Sequence, residues 1–287
     1  MPELPEVETI VRGLRPYLEG AELGIFRLFI PPLLRRVPRA ALAAFEGAKV
    51  MNLKRRGKMI LVECEGGRTL VFHLMMTGQM LIERPEVPAD KHVRLIVPLV
   101  GRDRELRFRD VRKFGFLCCL GPSGSSPIPE LEALGPEALE IDFRSFARLF
   151  QGRKACIKGL LLDQRAIAGL GNIYADEVLF RARIHPLTPA QSLAEGELKI
   201  LWKSIRAILK LAISRKGSSI RDYTDPNGDP GDFQALHKVY GREGGKCPRC
   251  KAAIKRIKVG GRSTFYCPHC QKKVRLKKSM QRQRRHD

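Results

Sequence analysis

Four cysteines stand as Cys247, Cys250, Cys267 and Cys270, in the pattern C-x2-C-x16-C-x2-C. Thiolates at that spacing make a tetrahedral zinc site, and four protein ligands leave no open position for water. The expected cofactor is therefore one structural zinc, with Lys246, Arg249 and Lys251 offsetting the charge of the thiolates. Cys64, Cys118, Cys119 and Cys156 lie scattered in apolar stretches, where a thiol acts as a small hydrophobe. The other chemistry is at the chain start. Removal of Met1 before the small residue Pro2 leaves a secondary amine, which can attack a carbonyl or a sugar C1′. The adduct of a secondary amine is a charged iminium, an electron sink for later eliminations. A helix starting just beyond would present its positive dipole end and favour the free amine. Glu3 and Glu6 lie within one turn and offer a general acid or base. Proline and glutamate are also ordinary first-turn residues, so these positions alone leave both readings open.

The elements that must carry these groups follow from periodicity. Val7, Ile10, Val11, Leu14 and Leu18 repeat at helical spacing and Gly20 suits the stop. Residues 22 to 120 switch to short β-rich runs, at 50–53, 59–63, 69–74 and 93–99, and suggest a sandwich or barrel. The Gly/Ser/Pro run at 121–127 reads as a linker. Helical spacing returns at 157–162, 173–180 and 198–213. Residues 217–232 are polar, rich in Gly, Pro and Asp, and read as a long loop, the kind that is either functional or disordered.

The 287 residues fit about two domains or more and need no disulfides for stability. Lys and Arg number 53 against 30 Asp and Glu, a charge of +23 that points to a polyanion, nucleic acid before others. Residues 246–287 alone carry 15 Lys and Arg and one acid, and from residue 272 the chain reads as a flexible basic tail. No apolar run approaches the roughly 18 residues needed to cross a bilayer. The acidic start, Met1-Pro2-Glu3-Leu4-Pro5-Glu6, lacks the layout of a signal peptide. These features predict a cytoplasmic protein with no membrane association.

Several motifs then recur in one order. Pro2-Glu3-Leu4-Pro5-Glu6-Val7-Glu8-Thr9 resembles the start of the formamidopyrimidine-DNA glycosylase family, bacterial base-excision repair enzymes for oxidised purines. His73-Leu74-Met75-Met76-Thr77-Gly78 is similar to its H-L-x-M-[ST]-G, and Asp110-Val111-Arg112-Lys113-Phe114-Gly115 to its D-x-R-x-F-G. Asp163-Gln164 with the run Gly169 to Glu177 resembles its helix–two-turn–helix signature. Val239-Tyr240-Gly241-Arg242 and the run Gly261 to Cys267 resemble its zinc hairpin. The resemblance spans residues 2 to about 271.

By that resemblance the chain is an α+β multidomain protein. It implies an N-terminal β-sandwich with its helix (1–120), a linker (121–135), a helix–two-turn–helix domain with a lesion loop (136–232), a zinc finger (233–271) and the basic tail (272–287). The partner implied is damaged double-stranded DNA, bound in a basic cleft by a monomer associated with the nucleoid. The activity implied is glycosylase plus abasic-site lyase, with Pro2 attacking C1′ and β,δ-elimination following. Glu3 transfers protons at the sugar, and Lys58 and Arg262 serve the lesion phosphates beside the amine. His73 and Asn172 are phosphate contacts, although each read alone is a packed histidine and a helix cap. Met76, Arg112 and Phe114 fill the gap left by an extruded nucleotide, Arg112 facing the orphaned cytosine. Met75 stands where the family often has Gly. Two other readings compete: the endonuclease VIII branch, which prefers oxidised pyrimidines, and a non-enzymatic zinc-ribbon protein. Leu4 and the Asp-x-Arg-x-Phe-Gly motif favour the purine branch, and the zinc-ribbon reading leaves Pro2 and Glu3 without a role.

Overall fold

The structure, a computed structural model, describes residues 1–35, 39–121, 128–220 and 222–273. The first element, α1 (Leu4–Leu18), forms because its apolar face is continuous, and Val7, Ile10, Val11, Leu14 and Leu18 are all buried. Its first turn closes when Glu6 accepts the Glu3 N–H at 2.7 Å.

Two antiparallel sheets follow. One runs β3 (Val50–Arg56), β4 (Met59–Cys64), β5 (Arg68–His73), β9 (Phe116–Leu120). The other runs β1 (Glu22–Leu23), β7 (Val93–Val100), β8 (Glu105–Asp110), β6 (Gly78–Glu83), with β2 (Arg27–Leu28) also on β7. Phe72 and Phe108, one from each sheet, stack with centroids 6.0 Å apart, so this is a sandwich with α1 sealing one side. Strands β6, β8 and β9 were not expected from the sequence. In β8 Glu105 and Arg107 are buried, because they pair at 2.7 Å and Arg107 caps carbonyls of the 84–88 turn.

The helical half contains α2 (Pro129–Glu132), α3 (Phe143–Arg148), α4 (Ile157–Leu162), α5 (Asn172–Ala182) and α6 (Glu195–Ser214). Helix α2 falls inside the stretch read as a linker; residues 122–127 of that stretch lie outside the described residues. A second core gathers Phe146, Phe150, Leu161, Tyr174, Leu201 and Leu209, and it also contains Leu4. Helix α1 therefore serves both cores, its first turn in the helical one and the remainder in the sandwich. Each buried leucine contributes about 1.5–3 kcal/mol, so this shared helix is a strong fastening.

The last element is the hairpin β10 (Lys255–Val259) and β11 (Arg262–Tyr266). Gly260 and Gly261, at φ +55° and +75°, make its two-residue turn, a conformation L side chains resist. The 217–232 stretch is an ordered loop where it is described: Asp225 accepts the N–H groups of Asn227 and Asp229, and the Pro226 carbonyl accepts the N–H of Ile82 on β6. The tail beyond 273 lies outside the described residues. Among the described residues no helix is long and apolar enough to cross a membrane.

Candidate active site

Glu3 is 3% exposed, and the reason is α5. Its carboxylate accepts the N–H groups of Gly171 (2.8 Å), Ile173 (2.9 Å) and Tyr174 (3.4 Å), three of the donors that the helix start leaves unpaired. The Gly169–Gly171 turn, whose N–H groups and helix start could hold a phosphate, thus holds a carboxylate of the chain itself. A Cβ on Gly171 would lie 2.3 Å from the Glu3 carboxyl carbon, so only glycine fits there. Gly169 bends the same turn, accepts the Leu4 N–H at 3.0 Å and lies against the Leu4 side chain.

Glu6 is also buried. It accepts from the Tyr174 hydroxyl, the Ser218 N–H (2.8 Å) and the Glu3 N–H. Burial, then the neighbouring Glu3, raises its carboxyl to about 7. The Met1 amine is pushed below its ordinary value chiefly by burial, with Lys58 adding to the effect and Glu3 and Glu6 opposing it.

Two recesses flank the chain end. In one, of about 540 Å³, Lys58, His73 and Arg262 come together with Met1, Arg35 and Met75. Lys58 sits in the turn between β3 and β4 and is 5% exposed, not a solvated strand residue. Its ammonium is pushed below the usual lysine range by burial and by Arg262, while Glu3 opposes. His73 stacks on Phe116 at 5.2 Å and accepts the Met75 N–H on Nδ1 at 2.9 Å. Burial, then Lys58 and Arg35, pushes its ring down to about 4. A neutral ring with Nδ1 occupied carries its proton on Nε2, where it can donate to an anion. Arg262 reaches this recess from the glycine turn of the hairpin.

The other recess, of about 360 Å³, is lined by Pro2, Glu6, Met76, Arg112, Ser218 and Tyr223 among others. Met76 and Phe114 are 40% and 48% exposed, large apolar side chains with no core to join. The Arg112 guanidinium lies 4.7 Å from the Phe114 ring centre. Asp110 organises both turns: it accepts from Thr77, from the Arg112 N–H (3.1 Å) and from the Gly115 N–H (2.8 Å). Met75 and Lys113 take φ of +50° and +59°, which explains why a glycine would suit position 75.

Asn172 is the first residue of α5, so the cap belongs to Gly171 and Glu3 rather than to Asn172. Its Nδ2 donates to the Ser263 carbonyl of β11 at 2.9 Å, while Oδ1 is buried without a partner. The four cysteine sulfurs lie within 4.8 Å of one another, with Cys250–Cys267 at 3.4 Å and Cys247–Cys270 at 3.9 Å. A zinc tetrahedron with bonds near 2.3 Å has edges of about 3.8 Å, and a disulfide would be near 2.0 Å, so the set fits zinc. Arg249 donates to the Phe180 carbonyl near the end of α5 and lies over the Phe180 ring.

Sequence reasoning gave no role to Lys158, Tyr174, Asp176 or Glu177, yet these tie the parts together. The fully buried Lys158 and Asp176 pair at 2.7 Å, and both bond β11, through Thr264 Oγ1 and the Phe265 N–H. Glu177 accepts the N–H groups of Lys238, Val239 and Tyr240. A charged residue on the apolar face of α5 was the available signal.

A buried carboxylate pair at a chain end, a neutral-donor and cation recess beside it, and a hairpin carried by four clustered cysteines fit a nucleic-acid-processing enzyme. The chain belongs to the formamidopyrimidine-DNA glycosylase family. The family's N-terminal domain matches residues 1–117, its H2TH domain 134–224, and a zinc finger found in FPG and IleRS 244–273. A formamidopyrimidine-DNA glycosylase of Thermus thermophilus is 45% identical over 276 residues, covering 94% of this chain and 98% of the relative. One of Chloroflexus aurantiacus is 43% identical over 274 residues, covering 94% and 98%. The Lactococcus lactis Fpg complexed with abasic-site DNA superposes with TM-score 0.88 at 36% identity, covering 94% of this chain and all of that one. The Thermus thermophilus MutM structure gives 0.85 at 42% identity, covering 96% and 100%.

Proposed function

We propose that this chain excises oxidised purines, 8-oxoguanine and formamidopyrimidines, from duplex DNA and then cleaves the abasic strand, as its family membership implies. The observation that carries the reading is the chain end itself. Pro2 borders a recess large enough for a base, beside the buried carboxylates of Glu3 and Glu6.

With Met1 removed, the Pro2 amine attacks C1′, the C1′–N bond to the base breaks, and the departing base takes the proton that the amine gives up. The C1′–O4′ bond then opens, O4′ taking a proton, and leaves the C1′ iminium. The iminium acidifies the C2′ proton, whose loss ejects the 3′ phosphate; a second elimination ejects the 5′ phosphate. Glu3, the adjacent carboxylate, exchanges protons at the sugar. Lys58, Arg262 and the His73 Nε2–H hold the phosphates flanking the damaged nucleotide, with the Asn172 amide at the start of α5. Met76 and Phe114 enter the gap left by the extruded base, and Arg112 meets the orphaned cytosine.

Zinc on Cys247, Cys250, Cys267 and Cys270 fixes the hairpin that aims Arg262 and takes no chemical part. The functional units are residues 1–120, 136–232 and 233–271, joined by 121–135, with a basic tail from 272. Cytoplasmic action on nucleoid DNA, as a monomer, completes the reading.

The test is borohydride trapping on a lesion duplex, which should fix a covalent protein–DNA adduct at residue 2 by peptide mapping. Undiminished trapping by a form that retains Met1 would refute Pro2 as the nucleophile.

A further inference from the structure

The stretch 217–232 supplies Ser218, Ile220, Asp222 and Tyr223 to the recess beside Pro2. Its first turn is held from outside the loop. Gly217 sits at φ +76° against the Glu6 carboxylate, and the Ser218 N–H donates to Glu6 at 2.8 Å. The Ser218 hydroxyl faces two partners: Tyr174 Oη at 3.5 Å and His237 Nε2 at 3.0 Å. All four residues are buried: Glu6 1%, Tyr174 0%, Ser218 4% and His237 8% exposed.

Tyr174 donates to Glu6, and Ser218 Oγ bridges Tyr174 Oη and His237 Nε2. Burial pushes the His237 ring down to about 4, so the ring is neutral and its Nε2 offers Ser218 an N–H or a lone pair according to the tautomer. The ring is wedged between Phe233 and Tyr240, each with its centre 5.6 Å away, which fixes where Nε2 points. His237, Ser218, Tyr174 and Glu6 thus form one buried chain in which each bond polarises the next.

We infer that His237 is a positioning residue for base excision: through Ser218 it fixes the loop wall against which an extruded oxidised base is held. This rests on the proposed excision activity. An abasic nucleotide has no base to meet that wall, so the strand-cleavage step does not require His237. The two activities of one site thus separate at a residue that touches neither substrate nor Pro2.

The experiment measures single-turnover excision of 8-oxoguanine opposite cytosine and nicking of a preformed abasic duplex, for the full zinc-loaded chain. Wild type is assayed first on both; inactivity there condemns the proposed function and not His237. His237→Leu, close in bulk and without a donor, should slow base excision roughly five- to tenfold, the scale of one lost buried hydrogen bond, with nicking of abasic DNA within about twofold. His237→Gln, whose amide can donate from nearly the same place, should recover most of the excision rate. Equal losses on both duplexes, or excision unchanged in His237→Leu, would overturn the assignment. If His237→Leu proves misfolded by circular dichroism, His237→Phe, a ring of similar shape without a polar atom, substitutes for it, with the same split expected and an equal loss again overturning the idea.

Discussion

Arg112 shows how one side chain can be held by other groups while its own tip stays free. Thr77 and Asp110 fix its backbone N–H, so its guanidinium is presented beside Phe114, with no carboxylate partner among the described residues. Those donors match the acceptor edge of cytosine and meet the amino group of adenine badly. Arg112→Ala should narrow a cytosine-over-adenine preference by roughly 1–3 kcal/mol in excision rates measured opposite each base; an unaltered preference would remove the assignment. Glu6 gives a prediction of another kind. Its carboxyl is raised to about 7 in the folded chain from an ordinary value of 4.5, so the folded state binds the proton more tightly. Its contribution to stability is complete below about 4.5 and is lost as pH rises through 7. Melting temperatures should show a downward component between pH 5 and 8 that Glu6→Gln removes; a slope unchanged in that variant would contradict the buried-acid account.

At the scale of elements, α5 is the part on which the others are hung. Its start seats Glu3, its second turn pairs Lys158 and carries β11, and its end receives Arg249 of the zinc knuckle. Lys158→Met would leave Asp176 buried without its cation, and breaking such a pair costs about 3–5 kcal/mol. A fall of that size in urea denaturation is expected, with partial recovery in Lys158→Met/Asp176→Leu. Helices α1, α4, α5 and α6 were legible because an apolar stripe is a local signal that needs no partner. The seat of Glu3 was not, because its donors lie 168 to 171 residues along the chain. Strand β8 was hidden for a related reason: Arg107 and Glu105 neutralise each other inside the fold, so a buried strand reads as a charged one. Motif resemblance supplied Lys58 and Arg262 as neighbours, which periodicity alone would have left on two unrelated turns.

For the whole molecule, the charge of +23 matters where cations face one cleft. Binding of duplex should weaken steeply with salt, since each neutralised phosphate releases counterions. Cys247→Ser removes one zinc ligand, loosens the hairpin and withdraws Arg262 from its recess. The two cores, which contain no cysteine of the site, should keep nearly native far-UV circular dichroism. Lesion-duplex affinity should drop and the salt slope become shallower, both read from one titration with zinc measured in parallel. A zinc-free variant with wild-type affinity and slope would show that the hairpin does not hold DNA.

The double membership of α1 also has a meaning in time. Glu3 leaves the ribosome first, but its seat at Gly171–Tyr174 is made much later. At about 5–20 residues per second, roughly ten to thirty seconds of synthesis separate the two. During that interval the chain start has no α5 to bury it and stands open to aminopeptidase trimming. Once α5 forms, the same residues close under Leu4 and Glu3. A nascent sandwich therefore carries no assembled site: the proposed nucleophile is bared early but seated only after α5, Asn172–Ala182 of the 287 residues, has been made.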